Sequence, residues 1–596
     1  MKLKSRLSVW TLILCCLASM LYADVPSPRL RNPQVPYLLD PMHFQTVAMK
    51  VFPIEASGMM PDAWSDAHWN PAFLLHQTQK SLYLDFSDPS GSSGLSSVSR
   101  YTPQYFTSDL LVNPRWYSAT SVSGMRNTPL YQFAAIFPAG GRLVIGLVNR
   151  SIFDYGSFLS ENVPVWNDSW ADYESRAGNK DGSAVLKRME SDENQQTVLG
   201  NQAELILGYR LSEKIDLGGR IGHMVYSREG NLYNSQWSND PHTSFADLKD
   251  ESLDLSGHHI EAGLGLMWRP DDGSSLGLYG GMITGSGSET DASKDTSNTW
   301  WEKDTDTKYY EKRKYNLESS DGYELDGTRP SFTLTYERRF SEKFLFRTFL
   351  EGTWLKRDLE GTRASSDTSW GDRTYDAWDY STTHFQRLES HGSRGDALSG
   401  TGKTSSSNWS WFASLAYAPD RDWSFFGGIR IQRWSLKENL DESTSVKSHS
   451  WNRYSLYDPK TLRNMQRHVF DYAWEREASG WSLFLPVGLK ARVASGFFVI
   501  LGTDLALTLR DERSSGERLY QEKIVRAWEN EQNRVNDEEF DRLERYESDP
   551  ARVLTRVLGN RVGLVYEHAS GVSCTIKFAD NIAQSGSWAI GLEWIH

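Results

Sequence analysis

Cysteine is nearly absent, with three in 596 residues. Two of them, Cys15 and Cys16, fall in the apolar run from Leu7 to Tyr22. That run follows Lys2, Lys4 and Arg6 and ends before the small Ala23, which is the build of a secretory signal peptide over residues 1–23. Cleavage after Ala23 leaves Cys574 alone, and an exported chain with one cysteine has no internal disulfide. Beyond the leader there is no run of about 18 apolar residues, so a membrane-spanning helix is excluded on length. An excess of positive charge is missing too. Lys and Arg number 64 against 77 Asp and Glu, a formal charge of −13. Losing the leader's three cations takes this to −16 (−13 − 3), which argues against a nucleic-acid partner.

Aromatics are plentiful, with 23 Trp, 27 Tyr and 25 Phe, and they fall into a pattern. The chain ends GSWAIGLEWIH, where Trp588, Ile590, Leu592 and Trp594 alternate with Ala589, Gly591 and Glu593. Such a period of two belongs to a strand with two different surroundings. The same alternation recurs in hairpins with short turns at Ser212 to Lys214, Arg269 to Ser275, Phe340 to Phe344, Pro419 to Asp422, Ala494 to Gly496 and Ser570-Gly571. Strands of roughly ten residues are tall enough for a bilayer. Between the hairpins lie long polar stretches, near 154–200, 228–255, 288–329, 357–405, 436–478 and 510–556.

Short turns alternating with long loops are the asymmetry of an outer-membrane barrel. The expected fold is therefore all-β, a transmembrane antiparallel β-barrel of about 16 strands, with a range of 14–18. It runs over residues 81–596, with an N-terminal segment at 24–80 and long extracellular loops. Residues 115–124 are a further candidate strand. GSWAIGLEWIH is the expected closing strand, with Trp588, Ile590, Leu592 and Trp594 toward lipid. It also resembles the C-terminal recognition strand of bacterial outer-membrane proteins, which makes outer-membrane lipid and the assembly machinery the expected partners. In the stretch 515–547, charges spaced for i to i+4 pairing predict a surface helix within a loop.

Alternation assigns the lumen face. Glu204, Arg210, Asp216, Arg220, Glu261, Glu337, Arg347, Glu351, Arg430, Lys490, Asp504, Lys577 and Glu593 are expected inward, with both signs near balance. Phe412, Phe426, Phe484 and Phe498 are expected there too. Inward phenylalanines suit a path for hydrophobic solutes, or the packing of a filled lumen, better than a wet pore. His258 and His259 precede Glu261, but neighbours on a strand face opposite sides, so the pair is not a metal site. No Gly-x-Ser-x-Gly elbow or EF-hand spacing occurs. Neither enzymatic activity nor a metal or cofactor is expected.

MMPDAWSDAHWNPAFLL, residues 59–75, precedes the first strand. Through Asp66, Ala67, Trp69, Asn70, Pro71 and Ala72 it resembles the N-terminal region of the FadL-like superfamily of outer-membrane long-chain fatty-acid and hydrocarbon transporters, with its PorV-type relatives. Phe73 stands where those relatives often carry glycine. LPVGLKARV, residues 485–493, is similar to a late barrel strand of that superfamily. The resemblance implies a barrel plugged by an N-terminal hatch at 24–80 and passive uptake of a hydrophobic small molecule. A PorV-type scaffold or secretion partner, and a general diffusion porin, are the alternatives. Ligand identity and oligomeric state are left open.

Overall fold

The computed structural model describes residues 25–33, 35, 38–42, 44–51, 58–87, 123–127, 130–159, 162–164, 186–188, 195–240, 243–303, 306–379, 382–578 and 588–595. The expected signal peptide and residues 115–122 lie outside them. Sixteen strands close into one antiparallel ring. They are β1 (Ser81–Ser87), β2 (Leu130–Ala139), β3 (Leu143–Leu159), β4 (Gln195–Arg210), β5 (Ile215–Asp240), β6 (Thr243–Asp271), β7 (Ser274–Lys303) and β8 (Asp306–Ser341). The ring continues through β9 (Phe344–Asp379), β10 (Thr382–Tyr417), β11 (Trp423–Ser455), β12 (Lys460–Ala494), β13 (Phe497–Glu529), β14 (Ala551–Glu567), β15 (Val572–Phe578) and β16 (Trp588–Ile595). Each pairs with the next, and the ring shuts where β16 pairs with β1, Leu82 opposite Trp594. The C-terminal segment is thus the closing strand, with Ile590, Leu592 and Trp594 exposed on the outside and Ala589 buried on the inside.

Outward positions carry an apolar band bounded by two sets of rings. At the short turns Phe344 stacks on Tyr417 with centroids 4.4 Å apart, and Phe497 meets Tyr566 at 4.7 Å. Higher on the wall Trp354 meets Trp409 edge-on at 5.4 Å, and Phe332 lies 5.6 Å from Trp409. From Phe344 to Trp354 the strand climbs about 25 Å, at roughly 3.3 Å per residue and a tilt of about 40°, which is the height of the apolar band of a membrane barrel. Above Trp354 the outward residues turn polar, beginning with Lys356 and Asp358, and the strands continue.

The long polar segments are mostly not irregular loops. β8, β9 and β10 each run 36 residues, so the wall stands far above the bilayer on that side. Across the ring the described parts of β1, β2, β15 and β16 have 7 to 10 residues. The helix expected at 515–547 is a correction. That stretch holds the upper part of β13, a strand at Gln532–Glu539 and another at Arg542–Glu547. Its charges pair across strands instead, as Lys523 with Glu539, Arg526 with Glu538 and Arg545 with Glu517. Opposite residues on neighbouring strands approach as closely as i and i+4 do on a helix, so charge spacing alone does not separate the two.

Candidate functional site

The described part of residues 25–77 lies inside the ring. A seven-residue helix α1 (Ala63–Trp69) starts at Asp62, whose carboxylate accepts from the Ser65 amide at 2.9 Å. It ends at Asn70, which begins a 3-10 turn over Pro71–His76. Proline suits a first helical position because its missing N–H has no partner there anyway. Asn70 is completely buried and used on both sides of its amide. Its oxygen accepts from the Ala72 amide at 3.0 Å, and its nitrogen donates to the carbonyls of Leu266 and Leu278 at 3.0 and 3.3 Å. One side chain therefore ends the helix, starts the turn and ties both to β6 and β7.

Glycines make room for this turn. A Cβ on Gly218 would stand 2.2 Å from the Ala72 nitrogen, one on Gly265 2.1 Å from the Asn70 oxygen, and one on Gly277 2.8 Å from the Asn70 amide. Gly208, opposite Gly218, sits against Leu75, and Gly146 sits against Leu74. These residues form a smooth seat across β3 to β7 in which the 3-10 turn lies. Sequence reading missed them as a group, although inward glycines recurring close to successive short turns were the available signal.

Of the residues expected to face the lumen, Arg220, Arg347, Phe412, Phe426, Arg430, Phe498 and Asp504 are buried and Glu351, Phe484 and Lys490 half-buried, and most of these ten meet the N-terminal segment. Arg347 holds Asp66 with two hydrogen bonds of 2.7 and 2.9 Å, reaches Glu337 at 2.7 Å, and donates to the Gly58 carbonyl at 3.4 Å. Two carboxylates thus share one buried guanidinium. Burial outweighs the Arg347 charge at Asp66, and Glu337 adds to it, so the Asp66 carboxyl is pushed up to about 6. Arg220 binds Glu261, the Tyr279 hydroxyl at 2.7 Å and the His68 carbonyl at 3.2 Å, while Glu261 accepts from the Met42 amide at 3.0 Å. Arg430 donates to Ser410 at 2.6 Å and Glu351 at 3.1 Å, with its guanidinium 5.7 Å from the Trp69 ring centre. Asp504 pairs with Arg561 at 2.7 Å and Lys490 with Glu567 at 2.6 Å, both wall to wall.

The phenylalanines answer a question the sequence left open. Phe412, Phe426 and Phe498 are buried in one cluster with Phe349, Ile500 and Val565 of the wall and with Val51, Met59 and Trp69 of the segment. Trp69 lies 4.9 Å from Phe349, and Phe349 5.9 Å from Phe412. They pack against the segment rather than line an open path. Phe484, opposite Arg430, faces inward but is only half-buried and outside the cluster. Gly58 closes beneath Phe349 at φ +89°, a conformation open to glycine.

Higher in the lumen the segment crosses from wall to wall. The Pro26 carbonyl accepts from the Tyr472 hydroxyl at 2.6 Å, Arg29 pairs with Asp396, the Leu30 amide donates to Glu442 at 2.6 Å, and Arg31 reaches Glu289 at 2.9 Å. Leu39 adopts φ +62°, unusual for leucine, and is held there by its amide on His259 Nδ1 at 3.1 Å. His259 faces the lumen, and its neighbour His258 lies beside His223 with ring centres 6.4 Å apart. No metal-ligating group occurs among the described residues.

No family model and no curated protein matches the chain. Among solved structures it is similar to the CymD monoaromatic hydrocarbon channel, at 12% identity over 67% of this chain and 92% of that one, with a TM-score of 0.23. It is also similar to a Pseudomonas aeruginosa FadL homologue, at 9% identity over 94% and 99%, with a TM-score of 0.30. A mutant of the Pseudomonas aeruginosa ferric enterobactin receptor PfeA matches at 8% identity over 87% and 81%, with a TM-score of 0.22. FadL-type and hydrocarbon-channel barrels are thus among its structural neighbours. With TM-scores of 0.30 and below the likeness is loose, and the contacts inside the lumen have to carry the functional reading.

Proposed function

We propose that the chain is an outer-membrane transporter that passes hydrophobic small molecules, such as long-chain fatty acids or hydrocarbons, through a barrel closed by residues 24–80 acting as a hatch. The observation that carries the reading is the cluster of Met59 and Trp69 on Phe349, Phe412, Phe426 and Phe498, which makes the lumen apolar where the segment meets the wall. A diffusion porin needs a wet, open lumen, and this one is occupied. When the hatch shifts, the same rings become the lining of an apolar route, and a greasy solute replaces contacts that the hatch gives up. Arg347 on Asp66 and Arg220 beside His68 hold the resting position. Binding and release suffice, with no cofactor and no chemistry on the solute. Export by the signal peptide at 1–23 belongs to the same reading.

The test is conductance in a planar bilayer, full-length protein against a variant lacking residues 24–75, with uptake of a labelled long-chain fatty acid by cells producing each. A closed full-length barrel that opens on deletion, with uptake that needs the full-length chain, supports the proposal. A large, steady conductance at full length sinks it in favour of a porin.

A further inference from the structure

We propose that the outer face of β9 to β13, directly above the upper aromatic ring, seats the phosphorylated headgroup of an outer-leaflet glycolipid. A groove of about 600 Å³ crosses the wall at this height. Pairing register sets Trp354 and Lys356 on β9 beside Ser407 and Ser405 on β10, these beside Ser435 and Lys437 on β11, and Ser435 beside Ser479 on β12. Four small hydroxyl side chains on three strands are what leaves the wall hollow there, between larger neighbours. Pro550 closes one end.

Height and charge name the occupant. Trp354, Trp409 and Trp481 mark where the apolar band stops, so a groove just above them lies at the level of lipid headgroups. Its carboxylates are already matched by the protein: Glu477 by Lys437 at 3.4 Å and Arg513 at 3.1 Å, and Asp511 by Arg552 at 2.7 Å. Lys356 and Arg433 are different. Both are exposed, and neither has a carboxylate partner among the described residues. Arg433 lies opposite Trp409 and Trp481, its guanidinium 5.3 Å from the Trp481 ring centre. Two uncompensated cations flanking a row of hydroxyl donors suit a phosphate ester, and the tryptophans below them suit the acyl chains beneath it. A soluble anion would use the first feature only. This inference rests on the membrane height of the wall and is independent of what passes through the lumen.

Native mass spectrometry of the full-length protein in mild detergent tests it, with bisphosphorylated lipid A, the same lipid dephosphorylated, and inorganic phosphate as probes. Bisphosphorylated lipid A should stay bound to the unaltered chain. The double variant Lys356→Ser with Arg433→Ser should bind it about thirtyfold more weakly, from roughly 1 kcal/mol per cation near a charged surface. The exchange Lys356→Arg with Arg433→Lys should restore binding, and heat-dependent migration on gels reports that each barrel is folded. Undiminished binding by the serine variant, equal binding of the dephosphorylated lipid, or displacement by inorganic phosphate would each overturn the proposal.

Discussion

If residues 24–80 act as the proposed hatch, Asp66 is where hatch and wall compete for the same charge. Its carboxyl rises to about 6 because burial costs the ionised form more than Arg347 returns. In an unseated, wetted hatch it would titrate near its ordinary 3.8. The seated state therefore keeps its proton to higher pH than the unseated one. Seating is tightest below about pH 4, weakens as pH climbs toward about 6, and is level above that, over a span of order 3 kcal/mol. Brief openings in a planar bilayer should accordingly become more frequent from pH 4 to 6, and Asp66→Asn should flatten the dependence. Burial pushes Asp62 in the same direction, so a weak slope should survive. A frequency that falls as pH rises would refute this account. The inward direction of Arg220, Arg347 and Arg430 was legible from alternation, because a strand repeats every two residues whatever its partners. That Arg347 serves Asp66 was not, since 281 positions separate them.

Among the elements, the 3-10 turn at Pro71–His76 and its glycine seat make the sharpest prediction. At Gly218 an added side chain meets backbone of the turn at 2.2 Å, whereas at Gly219 its nearest neighbour is a Leu264 methyl at 3.7 Å on the outer face. Gly218→Val should leave the barrel folded but unseat the hatch, giving a steady conductance like that of the variant lacking residues 24–75. Gly219→Val should stay closed. Closed channels for both would show that the turn tolerates displacement. The turn was announced by Asn70 and Pro71, residues with strong local preferences, while its seat was hidden because a lone glycine on a strand reads as a weak point. The upper strands were hidden for another reason. Alternation appears when one face is greasy and the other wet, and above Trp354 the outer face is polar while the inner face carries only scattered apolar residues, such as Leu359 and Leu398 packed on Leu30. There β9 and β10 continue as Leu359 opposite Gly402 and Ser365 opposite Asp396, held by ladder pairing with little apolar signature, so the sequence reads as loop.

The whole molecule is a barrel whose described wall stands tallest along β8 to β10. If the apolar band is what crosses the bilayer, an outward position should be sensitive to charge according to its height and not its burial. Among the described residues Leu264 is the most exposed large apolar one of the outer face at 76%, and it lies near mid-band, opposite Gly219 and Gly280. In water such a residue would be indifferent to substitution. In lipid, Leu264→Arg should cost about 2–4 kcal/mol, because the cation displaces hydrocarbon contact at the membrane centre. Leu519, also outward and 39% exposed, stands on β13 well above Trp481, where the outer face is in water, so Leu519→Arg should fall within about 0.5 kcal/mol of the parent. Urea titration of the barrel folded into lipid vesicles measures both. A large loss at 264 with none at 519 fixes the bilayer between the two rings of aromatics. Equal, small effects would remove the lipid from that face, and with it the reason for an apolar band on a chain whose mean hydropathy is −0.54.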